Sequence, residues 1–460
     1  MTFRVGIGST HIASFSANGV QYLWQTGDVN TLVGVGTTIN ATNGATNDYF
    51  GRSVAVGNGR IVIGASGDDI NGISQGSAYI FDLDGNQVGF ITASNGADGD
   101  AFGNSVAVGS GRIVVAAPFD DDNGSSSGSA YIFDLDGNQV GFITASDGAN
   151  SDQFGRSVAV GCERIVVGAR SADYSKGKVY IYNLDGSGEI ILKSSTVIND
   201  FTISNSDKFG QSVAVGNGRI VVGAPGVDIV GTNSTNYTEA GRAYIFDLNG
   251  HYIASIDAGT GINAANGYND HHNPDFGTSV AVGCGRIVVG APNENQEIIV
   301  VNGSSQFGAW LAGAVYIYDL NGVLIKRIEA KDPKPQQGAE FGESVAVGCG
   351  RIVVGSWSYD ITDDGTYIDY WDIYYGTYDG TPDAGATYIY DLDGNFLEKI
   401  LPDDPQLSAF FGTSVAVGCG RIVVGSDFRD VGSNSNEGEA YIYKTPDVIT
   451  AYDVADWNSY

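Results

Sequence analysis

The amino-acid sequence predicts an all-β fold, a β-propeller built from four-stranded antiparallel blades. The phrase Phe-Gly-x-Ser-Val-Ala-Val-Gly recurs along the chain, and Arg-Ile-Val and two small residues follow each copy. The chain has 67 glycines and one methionine, a composition that favours short strands and tight turns over helices. The phrase begins at Phe50, Phe102, Phe154, Phe209, Phe276, Phe341 and Phe411.

Four strands are predicted in each repeat, and the first repeat shows why. Its β-branched runs cover residues 53–56, 60–63, 78–81 and 88–92. Asn58-Gly59 joins the first two runs, and Asn-Gly favours the positive φ angles of a two-residue hairpin turn. Tandem four-stranded units of roughly 50 to 70 residues are typical of propeller blades, whose radial closure also protects the sheet edges.

We predict a single propeller over residues 1–460 with eight blades, the first of them degenerate. Residues 5–13 align with 54–62 and residues 20–24 with 77–81, so residues 1–49 are interpreted as an eighth repeat. Residues 448–452 are predicted to form the fourth strand of the last repeat. The alternative is seven blades, with the N-terminal residues either folded separately or lending one strand to the last blade. The clear repeats cover residues 50–101, 102–153, 154–208, 209–275, 276–340, 341–410 and 411–460.

The Phe-Gly pair and a downstream Gly-Ala-Pro, complete at residues 223–225 and 290–292, resemble the FG-GAP repeat of integrin α-subunit propellers and of bacterial and viral proteins. The resemblance covers nearly the whole chain and implies a binding or structural module. Integrin-like repeats hold calcium in an Asp-rich loop between their first two strands. Turns such as Asn58-Gly59 and Asn217-Gly218 replace that loop here, so we predict no cofactor, and these turns do not support calcium binding.

The charge of the chain excludes one class of partner. Its formal net charge of −30 repels phosphate backbones, so nucleic-acid binding is not expected. No stretch is apolar enough for membrane insertion, and the first thirty residues lack the features of a signal peptide. These observations predict a chain that folds in a cytoplasm.

The two faces of the predicted disc should differ. Turns between first and second strands and between third and fourth strands share one face, which we call the hairpin face. Second-to-third and blade-to-blade connections share the opposite one, the loop face. The insertions at 226–241, 293–313 and 356–385 and the link at 257–275 all fall on the loop face. Variable loops on a rigid scaffold are common binding sites.

The insertion at 356–385 is the richest in aromatic and acidic side chains. Aromatic faces can stack on sugars or cover apolar partner surface, and carboxylates can accept hydrogen bonds from hydroxyl groups. The alternative interpretation is that these aromatics only pack the loop against the propeller. The candidate binding residues are Trp357, Tyr359, Asp363, Asp364, Tyr367, Asp369, Tyr370, Trp371, Asp372, Tyr374 and Tyr375.

We predict neither a catalytic nor a metal site. Gly124-Ser125-Ser126-Ser127-Gly128 fits a serine-hydrolase elbow only formally, because no helix follows it. The His271-His272 pair lacks the spacing of a helical metal site. The acidic clusters at residues 68–69 and 120–122 offer oxygen ligands, but without a calcium-loop spacing we interpret them as solvated charge.

The Arg at the start of each second strand is expected to pair with a carboxylate of its own blade. These residues are Arg60, Arg112, Arg164, Arg219, Arg286, Arg351 and Arg421.

Near-uniform repeats of this style are similar to propellers found in proteins of bacteria and their phages, and this resemblance favours a non-enzymatic module of a phage virion, associated with the tail or a fibre. Assembly in the host cytoplasm would explain unpaired cysteines and the missing signal peptide. The expected partners are a host glycan, a host surface protein or neighbouring virion proteins. The alternative is a bacterial surface adhesin or a lectin-like propeller.

The four cysteines are predicted to be free thiols. Cys162, Cys284, Cys349 and Cys419 occupy the same turn position in different repeats, where their α-carbons should exceed the roughly 7 Å limit for a disulfide. Titration with a thiol reagent after denaturation under non-reducing conditions should therefore count four thiols. A lower count would contradict this prediction.

Overall fold

The computed structural model is a propeller of seven blades. Each blade is a four-stranded antiparallel sheet, and the innermost strands contact one another in a closed ring. The structure describes residues 36–70, 72–193, 206–230, 236–237, 239–258, 274–295, 300–301, 304–305, 311–332, 336–361 and 381–445, and the backbone of residues 11–17 and 20–26.

The strands of each blade are given from the innermost to the outermost. Blade 1 contains Phe50–Gly57, Arg60–Ala65, Ser77–Phe81 and Gln87–Ile91. Blade 2 contains Ser105–Gly109, Arg112–Ala117, Ser129–Phe133 and Gln139–Ile143. Blade 3 contains Ser157–Gly161, Arg164–Ala169, Lys178–Asn183 and Ile190–Lys193. Blade 4 contains Ser212–Gly216, Arg219–Ala224, Arg242–Phe246 and Tyr252–Ile256.

The remaining blades follow the same plan. Blade 5 contains Val280–Gly283, Arg286–Ala291, Ala314–Tyr318 and Leu324–Ile328. Blade 6 contains Ser344–Gly348, Arg351–Ser356, Ala386–Asp391 and Phe396–Ile400. Blade 7 contains Ser414–Gly418, Arg421–Ser426, Glu439–Lys444 and, as its outermost strand, Thr37–Ile39.

The predicted strands and hairpin turns of the repeats are confirmed. In blade 1 the four strands lie where the β-branched runs predict them, and the first strand extends back to Phe50. Asn58 and Gly59 have φ angles of 49° and 76°, as the two-residue turn requires. Cys284 and Gly285 have the same signs of φ, so a cysteine replaces asparagine without a change of turn.

The core is divided into seven clusters, one at each interface between neighbouring blades. Each Phe of a Phe-Gly pair is fully buried there. Its ring packs edge-on against a third-strand Tyr of the same blade, as Phe50 does on Tyr79 with 5.3 Å between ring centroids. The propeller is therefore stabilised between blades rather than around one central core.

The two glycines of the repeat motif touch across six of the seven interfaces, and at the interface between blades 2 and 3 Ala116 takes the place of one of them. A Cβ placed on Gly64 of blade 1 would lie 1.9 Å from the carbonyl oxygen of Gly103 in blade 2. A Cβ on Gly425 of blade 7 would lie 2.1 Å from the carbonyl oxygen of Gly51 in blade 1. Only residues without a side chain allow the two backbones to approach this closely.

Hydrogen bonds from the innermost strands cross the same interfaces. Ser157 Oγ donates to the Gly210 carbonyl at 2.9 Å, and Ser414 Oγ donates to the Gly51 carbonyl at 2.7 Å. The second bond joins blade 7 to blade 1 and so helps to close the ring.

The expected pairing of the second-strand arginines within their own blades is wrong. Arg60 Nε donates to the carbonyl oxygen of Leu135 in the next blade at 3.1 Å. Arg286 likewise donates to Leu392 of the next blade, and its guanidinium pairs with Asp393 at 3.0 Å. The reason is geometric, since the third-to-fourth turn of the following blade lies over the start of the second strand. Five of the seven arginines join neighbouring blades on the hairpin face in this way, namely Arg60, Arg164, Arg219, Arg286 and Arg421.

The prediction of eight blades is wrong, and the alternative of seven is correct. Thr37–Ile39 pairs with Glu439–Lys444, with Thr37 opposite Ile442, so the N-terminal part lends one strand to blade 7. Residues 448–452, the predicted fourth strand, lie outside the described residues. His11–Ala17 and Val20–Thr26 form a separate two-stranded antiparallel sheet instead of part of a blade.

The regular elements outside the blades are short. One four-residue helix covers Ala172–Ser175, and Asp173 and Tyr174 inside it have positive φ angles of 51° and 62°. In the described part of the chain, no helix has the length and apolar character needed to cross a membrane. The four cysteines are free, and Cys284, Cys349 and Cys419 are exposed on hairpin turns.

The strand that closes blade 7 can be tested by truncation. A chain that begins at residue 42 lacks Thr37–Ile39 and the buried side chains of Ile39 and Ala41. Burial of the Ile and the pairing of a short strand together stabilise by about 3 kcal/mol. We expect a loss of that size in the free energy of unfolding, measured by urea denaturation.

A chain that begins at residue 36 keeps this strand and is the matched control. Equal stability of the two truncated chains would contradict the role of Thr37–Ile39 in closing the propeller.

Candidate functional site

The long insertions of the loop face belong to blades 4, 5 and 6. In blade 4, Ile229–Val230 pairs with Asn236–Tyr237 at the base of the insertion. In blade 5, Val300–Val301 pairs with Ser304–Ser305 within the insertion. The blade 6 insertion is closed at its base by an antiparallel bridge, in which Ile361 N–H donates to the Thr381 carbonyl at 3.0 Å. Three consecutive blades thus carry paired segments on one face.

Of the predicted binding residues, the structure describes two. Trp357 and Tyr359 lie at the start of the blade 6 insertion. The others lie outside the described residues, so their role stays a prediction. They are Asp363, Asp364, Tyr367, Asp369, Tyr370, Trp371, Asp372, Tyr374 and Tyr375.

Tyr359 packs against the propeller. Its ring lies edge-on to buried Tyr388, with 6.4 Å between centroids, and it belongs to the cluster between blades 5 and 6. Lys399 Nζ lies 3.7 Å from the centre of the Tyr359 ring. Burial is the main cause that raises the pKa of Tyr359 above its usual value. This residue fits the packing interpretation.

Trp357 belongs to an aromatic row on the loop face, which we define as Trp357, Phe410, Phe428 and Tyr49. The ring centroids of Trp357 and Phe410 are 4.6 Å apart, and those of Phe410 and Phe428 are 5.0 Å apart. Phe428 and Tyr49 follow at 5.1 Å. All four side chains are half-buried, so the row offers an aromatic strip to a ligand from blade 6 through blade 7 to blade 1.

The residue that follows each Phe-Gly pair stands at the loop-face end of an innermost strand. In blade 1 the register shifts between Phe50 and Ser53, which leaves Gly51 and Arg52 outside the ladder. We define the axial mouth as the seven residues at this position. They are Arg52, Asn104, Arg156, Gln211, Thr278, Glu343 and Thr413.

The axial mouth surrounds the central axis. The charges of Arg52 in blade 1, Arg156 in blade 3 and Glu343 in blade 6 influence one another. Side chains from such distant blades can interact only where the blades converge. The mouth is therefore the point where one ligand could contact several blades.

A cavity of about 260 Å³ opens at the axial mouth, and we call it the mouth cavity. Its walls come from blades 3 to 6, the side of the propeller that carries the insertions. Both complete Gly-Ala-Pro motifs contribute their proline to it. The lining residues are Arg170, Lys208, Gln211, Pro225, Asp275, Thr278, Pro292, Asn293, Glu340 and Glu343.

One wall of the mouth cavity is basic. Arg170 Nη1 donates to Gln211 Oε1 at 2.8 Å, and next to it Arg156 Nη1 donates to Asn104 Oδ1 at 3.2 Å. Burial, together with the charges of Arg170 and Arg52, lowers the pKa of Arg156 to about 10. Lys208 completes this wall from blade 4. Three cationic groups therefore stand close together, two of them held by neutral side-chain amides.

The acidic wall, on the side of blades 5 and 6, carries three carboxyl groups. Burial raises the pKa of Asp275 to about 6, of Glu340 to about 7 and of Glu343 to about 8. A hydrogen bond from Trp357 opposes the shift at Glu340 and links this wall to the aromatic row. The wall thus offers hydrogen-bond acceptors and, at Glu343 near neutral pH, a protonated carboxyl that can donate.

The interpretation of the acidic clusters as solvated charge is wrong for two of their members. Asp68 and Asp120 are 3% and 1% exposed, and they accept hydrogen bonds from the hydroxyls of Tyr79 and Tyr131 at 3.1 and 2.8 Å. They satisfy the hydroxyl groups of core tyrosines. Among the described residues, no group of three or more His, Cys, Asp or Glu side chains could hold a metal ion.

Sequence reasoning missed the basic and acidic residues of the mouth cavity. A signal was available, because the letters on either side of the Phe-Gly pair vary from repeat to repeat. The preceding positions include Lys208, Asp275 and Glu340, and the following ones include Arg156 and Glu343. The invariant Phe and Gly pack between blades. The residues next to them vary and can therefore contact a ligand.

The fold and the loop face define a repeat propeller of the binding or structural kind. The profile of the FG-GAP repeat matches five segments that together cover just over half of the chain. The chain belongs to the FG-GAP repeat family. The matched segments are residues 36–81, 86–133, 138–182, 203–246 and 395–443. A comparison with curated proteins found no match.

The matched segments are displaced by one strand from the blades. The segment at 36–81 begins with Thr37–Ile39 of blade 7 and continues through the first three strands of blade 1. The segment at 86–133 likewise takes the outermost strand of blade 1 and three strands of blade 2. This displacement explains why the first strand of the first segment closes the last blade.

The half-buried and desolvated carboxyl of Glu343 should make stability depend on pH. Its pKa of about 8 in the folded protein lies above the usual value, so the folded state retains a proton that the unfolded state has released. The free energy of unfolding should therefore fall as the pH rises from about 5 to about 8. Glu343→Gln should exceed the wild type in stability at pH 9 by about 1 kcal/mol, with little difference at pH 5.

Urea denaturation at the two pH values measures this effect. The control is Glu163→Gln, in an exposed turn of the hairpin face, which should change stability little at either pH. If the free energies of unfolding of the wild type and of Glu343→Gln differ by the same amount at pH 5 and at pH 9, the raised pKa of Glu343 is contradicted.

Proposed function

We propose that this FG-GAP propeller is a non-enzymatic recognition module of a phage virion, which binds a host-surface glycan or a neighbouring virion protein through its loop face. The observation that carries this proposal is the contrast between the faces. Two-residue turns occupy every first-to-second connection of the hairpin face, whereas paired insertions, the mouth cavity and the aromatic row share the loop face. A rigid disc with one elaborated face suits recognition.

The arrangement of the residues favours binding over catalysis. FG-GAP propellers are generally binding or structural folds. The invariant residues of the repeat are used for packing between blades, so they are not available for chemistry. The variable residues supply aromatic surface and mixed hydrogen-bonding groups over several blades, as recognition of an extended ligand requires.

The free thiols support the proposed virion location. Cys284, Cys349 and Cys419 are exposed and unpaired. Exposed thiols fit a protein that folds in a reducing cytoplasm better than one secreted through an oxidising compartment. A phage structural protein is made and assembled in such a cytoplasm.

The blade 6 insertion provides the functional test. We expect the triple variant Tyr367→Ala, Tyr370→Ala, Trp371→Ala to lose at least tenfold in affinity for its ligand, because aromatic anchors carry a large part of contact energy. Glycan arrays measure binding to sugars, and pull-downs with particle incorporation measure docking to virion proteins. Together the two assays separate adhesion from structural assembly.

The matched control replaces three exposed aromatic residues of the outermost strands, Phe142, Tyr252 and Phe396, by alanine. It should bind as the wild type does. If the insertion variant folds normally and keeps both glycan binding and particle incorporation, the loop serves packing and the proposal fails.

A further inference from the structure

We propose that the mouth cavity binds the carboxylate of an acidic sugar, such as a uronic acid residue of a surface glycan. This inference rests on the proposed glycan recognition and names the class of sugar and the residues that would hold it. The cavity of about 260 Å³ is small and polar, and it lies beside the insertions of blades 4 to 6. It is therefore placed where one sugar of a bound chain could enter.

The first argument concerns the hydrogen-bond and ion-pair partners of the basic groups. Arg170 and Arg156 donate to the neutral amide oxygens of Gln211 and Asn104, contacts that orient a guanidinium without neutralising it. Among the residues that the structure describes, no carboxylate forms an ion pair with Arg156, Arg170 or Lys208. An incoming carboxylate could therefore be paired there.

A comparison with another arginine of the mouth strengthens this argument. Arg52 is paired with the buried carboxylate of Asp427 at 2.9 Å. The chain has 53 acidic and 23 basic residues, so carboxylate partners are abundant. Among the described residues, Arg156 and Arg170 have no such ion pair, and burial and the neighbouring charge of Arg170 lower the pKa of Arg156, so a bound anion would offset their mutual repulsion.

The second argument concerns the rest of the ligand. Acceptors and donors for hydroxyl groups are provided on the side of blades 5 and 6 by the side chains of Asp275, Thr278, Asn293, Glu340 and Glu343. At pH 7 the carboxyl of Asp275, whose pKa is about 6, is ionised and would repel a ligand with several negative charges, which favours a single carboxylate over a phosphate. A sugar that carries one carboxylate and several hydroxyls matches both walls.

The third argument is the aromatic border of the cavity. Trp357 hydrogen-bonds to Glu340 on the acidic wall and packs on Phe410 at 4.6 Å. An aromatic ring next to a polar cavity can hold the apolar face of a sugar ring while the cavity binds its polar groups. The next sugar of the chain would then lie over the aromatic row.

Glucuronic acid and glucose, which differ by one carboxylate, are the probes. Binding of each to the full chain is measured by NMR titration or calorimetry at pH 7. We expect glucuronate to bind at least tenfold more tightly than glucose, and Arg170→Gln to remove that preference. Arg351→Gln, on the hairpin face, is the matched control and should keep it.

Three outcomes would overturn the inference. Equal affinity for glucuronate and glucose would show that the carboxylate does not contribute to binding. Competition by acetate as strong as that by glucuronate would mean that the hydroxyl contacts contribute nothing. An unchanged preference in a folded Arg170→Gln variant would place the anion elsewhere.

The same experiments separate this inference from the proposed function. If glycans bind on the array and the insertion variant loses them, while glucuronate shows no preference, only the inference fails. If glucuronate binds through Arg170 but the full chain shows neither glycan binding on the array nor virion docking, the cavity assignment stands and the proposed function fails.

Discussion

The close approach of two backbones at each interface, made by a pair of glycines at six of the seven, is the constraint on which the rest of this propeller depends. The Phe-Gly carbonyl of one blade lies where a Cβ on the Gly-Ala glycine of the preceding blade would stand, as at Gly103 and Gly64. That contact lets the adjoining Phe be buried in the interface and lets the inner-strand Ser reach the next blade. In blade 2, Ala116 stands where the other blades have the Gly-Ala glycine, so the interface between blades 2 and 3 accommodates an additional methyl group.

The same constraint divides the residues of each repeat between stability and function. Phe, Gly, Ser and five of the seven second-strand Arg are used for contacts between blades, including the bond from Arg60 to Leu135. The positions next to the Phe-Gly pair are held in place by it but make no contact that every blade needs. They are therefore free to differ, and in the mouth cavity they supply Lys208 to the basic wall, which Arg170 completes, and Glu340 and Glu343 to the acidic wall.

Closure of the ring and the displaced repeat are two aspects of one arrangement. Because each sequence unit gives its first strand to the preceding blade, the first unit must give Thr37–Ile39 to blade 7. The bond from Ser414 to Gly51 and the contact of Gly425 with Gly51 lie at the same seam. The strands and glycines that join the ends of the ring thus hold together the disc that carries the loop face.

The sequence by itself determined the strands, the hairpin turns and the division into two faces, because these follow from local alternation, from Asn-Gly turns and from the lengths of the connections. It did not determine the number of blades, since Thr37–Ile39 is a short strand whose role exists only through pairing with residues 400 positions away in the chain. The mouth cavity was also decided only by the tertiary structure. Arg170 and Glu343 are far apart in sequence, and they line one cavity because seven blades converge on one axis.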